Sequence, residues 1–200
     1  ILNYVNTIDQ LQIDAFLIKD FSNESLSITN KLKDYNYHPF SVEPNMVLHL
    51  DENWHSFEDY LQALKTKFRV KAKKAIKLSE NLTVKIATND TIEALLPEME
   101  KLYLKVAKNA SFNLSDFNLN TYKDLMNHID NNYQIRAYYV EGKMVGFMSG
   151  LINQKKLDAH FVGIDYRVNK EFAIYQRMLY DYIKIAIENN LTTLNFGRTA

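Results

Sequence analysis

The chain has 200 residues, enough for one substantial core or for one domain with part of another. Its 24 basic and 24 acidic side chains cancel, so no global field draws it to nucleic acid or to a membrane surface, and 46% hydrophobic residues exclude a disordered chain. There is no cysteine, which excludes a disulfide framework, a thiolate nucleophile and a thiolate metal site. No run is long enough to span a bilayer and no charged-then-apolar leader opens the chain, so a cytoplasmic, bacterial-type protein is expected. The chain opens on Ile1 and closes on Ala200 in or just after a strand, and it is expected to be a piece of a longer protein.

Leu11 to Phe21 alternates in part through Ile13, Ala15 and Leu17 and predicts a strand. Ser22-Asn23-Glu24-Ser25 supplies cap-type residues for a short helix from about Leu26 to Tyr35. Tyr37 to Pro44 holds two prolines and is extended. Asn45 to Leu50 predicts a short strand. Asp51 to Ser56 turns the chain, and Ser56 with Asp59 three residues on is a capping signal. A helix from Phe57 to Leu78 then places Phe57, Leu61, Leu64, Phe68, Ala72, Ala75 and Ile76 along one stripe. Its other faces carry Lys65, Lys67, Arg69, Lys71, Lys73, Lys74 and Lys77, with no acid among them from Lys65 on. They read either as a solvated face whose charge suits the helix C-terminus or as a wall facing an anionic donor or acidic substrate. No aromatic residues interleave with the lysines as a platform for single-stranded RNA requires.

Leu82 to Ala87 predicts a strand, Ile92 to Ala107 a helix with Pro97 inside it, Ser111 to Asn118 a loop and Leu119 to Ile129 a further helix. Tyr133 to Val140 alternates Ile135, Ala137 and Tyr139 against Gln134, Arg136 and Tyr138, the period of a half-buried strand. Glu141-Gly142-Lys143 is a tight turn. Met144 to Ile152 is a more continuous apolar run, a central strand, with Gly146 and Gly150 marking close approach or a bulge. After Asn153-Gln154-Lys155, a third strand runs from Lys156 to Ile164 with Asp158 and His160 on one face. Asp165 to Asn169 reads as a polar loop. A helix follows, with Tyr175, Met178, Leu179, Tyr182, Ile183 and Ala186 on its apolar stripe, and Leu191 to Phe196 returns as a strand.

Phe161-Val162-Gly163-Ile164-Asp165-Tyr166, Tyr175-Gln176 with Leu179-Tyr180-Asp181-Tyr182, and Phe196-Gly197-Arg198-Thr199-Ala200 resemble the GNAT superfamily of acyltransferases, and within it the FemAB-like, peptidoglycan-type branch. The resemblance covers about Phe57 to Ala200. It implies an α+β, mixed α/β fold: a mainly antiparallel sheet flanked by helices. It also implies a domain from 51 to 200, incomplete at its C-terminus. Residues 1 to 50 would be the closing half of a first such unit, because FemAB-like proteins hold two in tandem.

The resemblance places an acyl donor in the gap where the strand ending at Asp165 leaves the strand at Leu194 to Phe196. Acetyl-CoA or another acyl-CoA would then meet Phe161, Gly163 and Asp165, with its pyrophosphate at Arg167, Asn169 and Lys170, where free N–H groups favour an anion. Family loops of the form Arg/Gln-x-x-Gly-x-Gly/Ala are matched here only at Arg167; Lys170 stands in the first glycine place and Glu171 follows it. FemAB-like relatives take aminoacyl-tRNA instead. Transfer to an amine needs a base and an acid. His160 and Asp158, with Tyr175 at the helix start, are the candidate catalytic groups. Tyr139 on a neighbouring strand and Arg198 after Gly197 are the candidates for substrate contact, Arg198 by bidentate hydrogen bonding. A hydrogen-bonded core role is the other reading of His160, and a structural salt bridge that of Arg198. No metal is expected, since His38, His49, His55 and His128 have no ligand spacing. The expected function is N-acyl transfer to a small-molecule amine or peptide acceptor; the other reading is a binding or assembly module without a donor site.

Overall fold

The computed structural model describes residues 17–18, 21, 23–40, 44–110, 113, 115–129 and 132–198. They fall into two compact units, Ile1–Val42 and Glu43–Ala200. In the first, two 3₁₀ segments, Asn23–Ser25 and Asn30–Tyr35, flank a single α-helical turn, α1 (Leu26–Thr29). The expected helix is thus mostly 3₁₀, and Asn36 ends it in the left-handed region with φ 62°. The expected strand from Leu11 to Phe21 lies largely outside the described residues.

The second unit is built on one six-stranded sheet. Its strands are β1 (Asn45–His49), β2 (Thr83–Ile86), β3 (Tyr133–Val140), β4 (Lys143–Asn153), β5 (Lys156–Ile164) and β6 (Thr193–Arg198), in the order β1-β6-β5-β4-β3-β2. Every pairing is antiparallel except β5 with β6. β1 therefore belongs to the second unit's sheet, so the unit boundary at Val42 and the expected join at residue 50 differ by that strand.

The helices are α2 (Phe57–Ala63), α3 (Thr66–Leu78), α4 (Ile92–Asn109), α5 (Thr121–Ile129), α6 (Tyr166–Phe172) and α7 (Ile174–Glu188). Along β4, neighbouring side chains enter two different cores, as a pleat requires. Phe147 joins Met99 and Leu102 of α4, Tyr122 of α5 and Ile135 of β3. Met148 joins Leu157 of β5 and Ile174, Met178, Tyr182 and Ile185 of α7. The expected mixed, mainly antiparallel sheet with helices on both faces is present. Gly146 lets α7 sit close to the sheet, since a Cβ there would lie 2.5 Å from the Met178 methyl and 2.9 Å from Ile174.

Four local expectations are corrected. The helix from Phe57 to Leu78 is two helices, because Leu64 and Lys65 are extended, with ψ 139° and 143°. No glycine or proline marks the break; tertiary packing overrides a good helical sequence, with the small Ala72 and Ala75 buried. Arg69 ties the two pieces by donating to the carbonyl of Gln62 at 3.3 Å and its Oε1 at 2.7 Å. Phe68 is not on a core face, being 51% exposed. Asp165 to Asn169 is not a loop but the start of α6, because the Asp165 side chain accepts from the Arg167 N–H and caps the helix. Ala173, left-handed at φ 46°, separates α6 from α7. Asn169 serves that second start instead, its Oδ1 accepting from the Tyr175 N–H at 2.9 Å. Tyr175 and Leu179 leave the buried stripe of α7, which runs through Ile174, Met178, Asp181, Tyr182 and Ile185. The signal at Ser56 is a complete capping box with Asp59.

Candidate active site

β5 and β6 pair over three rungs only, Lys156↔Thr193, Leu157↔Leu194 and Asp158↔Asn195. Beyond them β5 runs on to Ile164 and β6 to Arg198 as separate strands, leaving a gap between unpaired edges. Two local features open it. β5 is bulged: Met148 faces Val162 and Gly150 faces Ala159, so His160 and Phe161 together oppose Ser149. A bulge bends its strand and raises its twist. Ser149 pins this one, its hydroxyl donating to the Phe161 carbonyl at 2.9 Å while its carbonyl accepts from the Tyr182 hydroxyl at 2.6 Å. On the other strand Asn195 clamps the last rung. Its Nδ2 donates to Asp158 Oδ1 at 2.9 Å, and its Oδ1 accepts from the Gly197 N–H at 3.0 Å. Gly197 has φ 75°, a turn that glycine adopts without strain.

The bulge turns His160 and Phe161 into one aromatic cluster. The Phe117 ring lies 4.7 Å from Phe161 and 5.3 Å from His160, centre to centre, and the Tyr122 and Tyr133 rings flank the imidazole. His160 keeps an exposed edge, and its Nδ1 is 2.6 Å from the Tyr133 hydroxyl. Packing among these rings lowers its pKa below the ordinary histidine value, which favours the neutral ring.

The other predicted residues divide. Asp158 stands at the gap's apex, half-buried, with its carboxylate committed to Asn195. The Phe161 ring belongs to the aromatic cluster, and Gly163 backs onto Phe147 and Leu102. Tyr175, 37% exposed, is outside the core at the start of α7, and burial of part of its ring raises its pKa. Arg198 is exposed at the end of β6, opposite Asn45 of β1. Tyr139 is not brought to the gap. On β3, two strands away from the gap, it pairs with Met144, with the Lys85 ammonium 5.0 Å from its ring centre.

At the expected anion loop, Asp165 takes up the Arg167 guanidinium. Its carboxylate accepts from Arg167 Nε at 2.9 Å and Nη2 at 2.6 Å, with Lys105 Nζ at 3.6 Å. The Arg167 N–H is also spent on it, at 3.2 Å. The hydrogen bonds from Arg167 hold the Asp165 carboxyl well below the usual carboxylate range. A carboxyl whose folded pKa is depressed adds stability above its unfolded value of about 3.9, and that contribution disappears as pH falls through the folded value. Arg167→Gln is expected to raise the midpoint of acid unfolding, read by circular dichroism; an unchanged midpoint would mean that this pair adds nothing to acid stability.

Tyr133, Ser149, Asn195 and Tyr182 build the site yet were not singled out by sequence. Ser149 alone left a mark, as the one hydroxyl in the apolar run of β4. An open groove of about 370 Å³ is lined by Met46, Leu48, Tyr60, Leu179, Tyr180 and Phe196 among others, and no β5 residue borders it. Among the described residues, no cluster of His, Asp or Glu could hold a metal ion, and no helix is long and apolar enough to cross a membrane.

A family model described as an acetyltransferase (GNAT) domain matches residues 62–200. No curated protein matches the sequence. Among solved structures, FemX is 13% identical with a TM-score of 0.60, over 88% of this chain and 60% of its own. L-PGS from Bacillus licheniformis is 14% identical with a TM-score of 0.57, over 88% of this chain and 50% of its own. The C-terminal domain of a putative lysylphosphatidylglycerol synthetase from Agrobacterium fabrum is 12% identical with a TM-score of 0.53, over 89% of this chain and 52% of its own. At these identities the likeness is one of fold, and the chain spans between half and three-fifths of the length of these proteins.

Proposed function

The chain belongs to the GNAT acetyltransferase-domain family, and from that premise we propose that it is an N-acyltransferase. It moves an acetyl, acyl or aminoacyl group from a thioester or ester donor to the amine of a small molecule or peptide. The observation that carries this reading is the gap beyond the Asp158–Asn195 rung, where unpaired backbone and His160 meet.

Acetyl-CoA or another acyl-CoA is the first donor class. The amides of a pantetheine arm suit the free edge of β5, which offers N–H and C=O groups with no strand partner. The diphosphate fits less well. Asp165 occupies the Arg167 N–H and guanidinium, which leaves Lys170 as the exposed cation at α6. That misfit keeps an aminoacyl ester of the tRNA type as the second donor class. Arg198, exposed at the end of β6, would grip an anionic group of donor or acceptor. Residues 1 to 50 would then close a first acyltransferase-like unit, and the protein would be cytoplasmic and bacterial. A module without a donor is the less favoured reading, since the gap, the bulge and a neutral histidine are all in place.

Binding to the folded state raises the melting temperature by mass action. Acetyl-CoA, longer acyl-CoA thioesters and an aminoacyl-tRNA are therefore compared by thermal shift, alongside transfer of labelled acyl groups to a panel of amines. A shift with one donor class and transfer from it are expected. No shift and no transfer with any of them would sink the acyltransferase reading.

A further inference from the structure

The hydrogen atoms around His160 can be assigned one by one. Ser149 Oγ carries one proton, and it goes to the Phe161 carbonyl, 2.9 Å away. The Tyr122 hydroxyl, 3.1 Å from the same Oγ, is therefore the donor in that contact. Both hydroxyls lie beside Tyr133, and both have used their protons. Their oxygens could still accept, but among the described residues the hydrogen bond that the Tyr133 hydroxyl makes is with His160 Nδ1, at 2.6 Å. Burial keeps that phenol protonated, its pKa pushed up to about 12. A buried hydroxyl spends its proton in the hydrogen bond it makes. Nδ1 is then an acceptor, and the neutral ring carries its proton on Nε2.

We propose that Tyr133 is a positioning residue that holds His160 in its Nε2–H tautomer, so that the ring offers the reacting acyl group a hydrogen-bond donor and not a base. The proposal rests on the acyltransferase reading above and names the part His160 plays in it. The amine nitrogen attacks the acyl carbon and a C–N bond forms. The carbonyl π pair moves to oxygen, and Nε2–H stabilises that oxyanion without surrendering its proton. When the C=O bond re-forms, the C–S or C–O bond of the donor breaks. The leaving thiolate or alkoxide takes up a proton, and the amine nitrogen loses one to water, giving an amide and a thiol or alcohol.

The surroundings suit a neutral donor. The titratable groups facing the ring are Tyr133 of β3 and Tyr122 of α5, both protonated at pH 7, with Phe117 and Phe161 filling the rest. Asp158, on the same strand face, is committed to Asn195. Burial, with no charged partner, sets the ring's lowered pKa.

Nitrogen-15 NMR of the whole chain, labelled on histidine, tests this at pH 7. The expected His160 spectrum has a pyridine-type Nδ1 and a pyrrole-type Nε2, and Tyr133→Phe should relax it towards a mixture of tautomers. A pyrrole-type Nδ1 in the wild type would overturn the assignment, and that spectrum needs no variant to fold. The second arm uses acetyl-CoA or aminoacyl-tRNA with the amine panel. His160→Gln keeps a donor but cannot take a proton, and it should be about tenfold or more faster than His160→Ala. Equal loss in both variants would overturn the donor role. If the wild type transfers no acyl group, the acyltransferase reading and the donor role fall together, while the NMR spectrum still decides whether Tyr133 holds the tautomer.

Discussion

Asp181→Ala is expected to destabilise the protein by about 3–5 kcal/mol, the range for breaking a buried ion pair by removing one partner. Asp181 is 1% exposed on α7. Its oxygens accept from Arg177 Nε, 3.0 Å from each, and from the Tyr138 hydroxyl of β3 at 2.9 Å, while Lys184 Nζ approaches to 3.4 Å. Arg177 in turn donates to the carbonyl of Ser79, at the end of α3, at 3.1 Å. One carboxylate thus ties a strand and two helices. Alanine would strand a largely buried guanidinium and leave the Tyr138 hydroxyl only the weak Met148 sulfur acceptor, at 2.9 Å. At roughly 2–4 °C per kcal/mol for a protein of this size, the melting temperature should fall by about 10 °C. Urea titration of wild type and variant measures it. A loss below about 1 kcal/mol would mean that the network contributes little beyond its neighbours' packing.

His160→Ala is expected to cut acyl transfer by about 10²–10³ with the fold intact, the usual effect of removing one donor to a developing oxyanion. The ring keeps an exposed edge, and its polar contact is with the Tyr133 hydroxyl, which water can replace at a half-open site. The decisive comparison is turnover and melting temperature on the same variant. Loss of stability with turnover per folded molecule unchanged would make His160 part of the aromatic cluster and nothing more.

The sheet was legible from residues because its signals are local. The two-residue period of β3, the Glu141-Gly142 turn and the close approach at Gly146 and Gly150 each depend on a few neighbouring positions. Helix boundaries were less legible. Leu64 and Lys65 carry no breaker, and Asp165 caps a helix over residues that read as a polar loop. The site was the least legible. The bulge at His160 and Phe161 adds one residue to a strand without changing its composition. The contact from Tyr133 to His160 spans 27 positions and needs the β3–β4–β5 register before it can be seen. The resemblance pointed to the gap between β5 and β6, but Tyr139 was placed by neighbourhood of strands alone, and β3 stands two strands away from that gap.

β6, the outer wall of the gap, is flanked by unequal partners. On one side β5 contributes three rungs; on the other β1 pairs from Asn45↔Arg198 to His49↔Thr193. β1 lies ahead of residue 50 and ahead of the span 62–200 that the family shares. A chain trimmed to either limit would lose β1 and make β6 an outermost strand. Its bare N–H and C=O groups would then be a template for self-association, beside the opening through which substrate must enter.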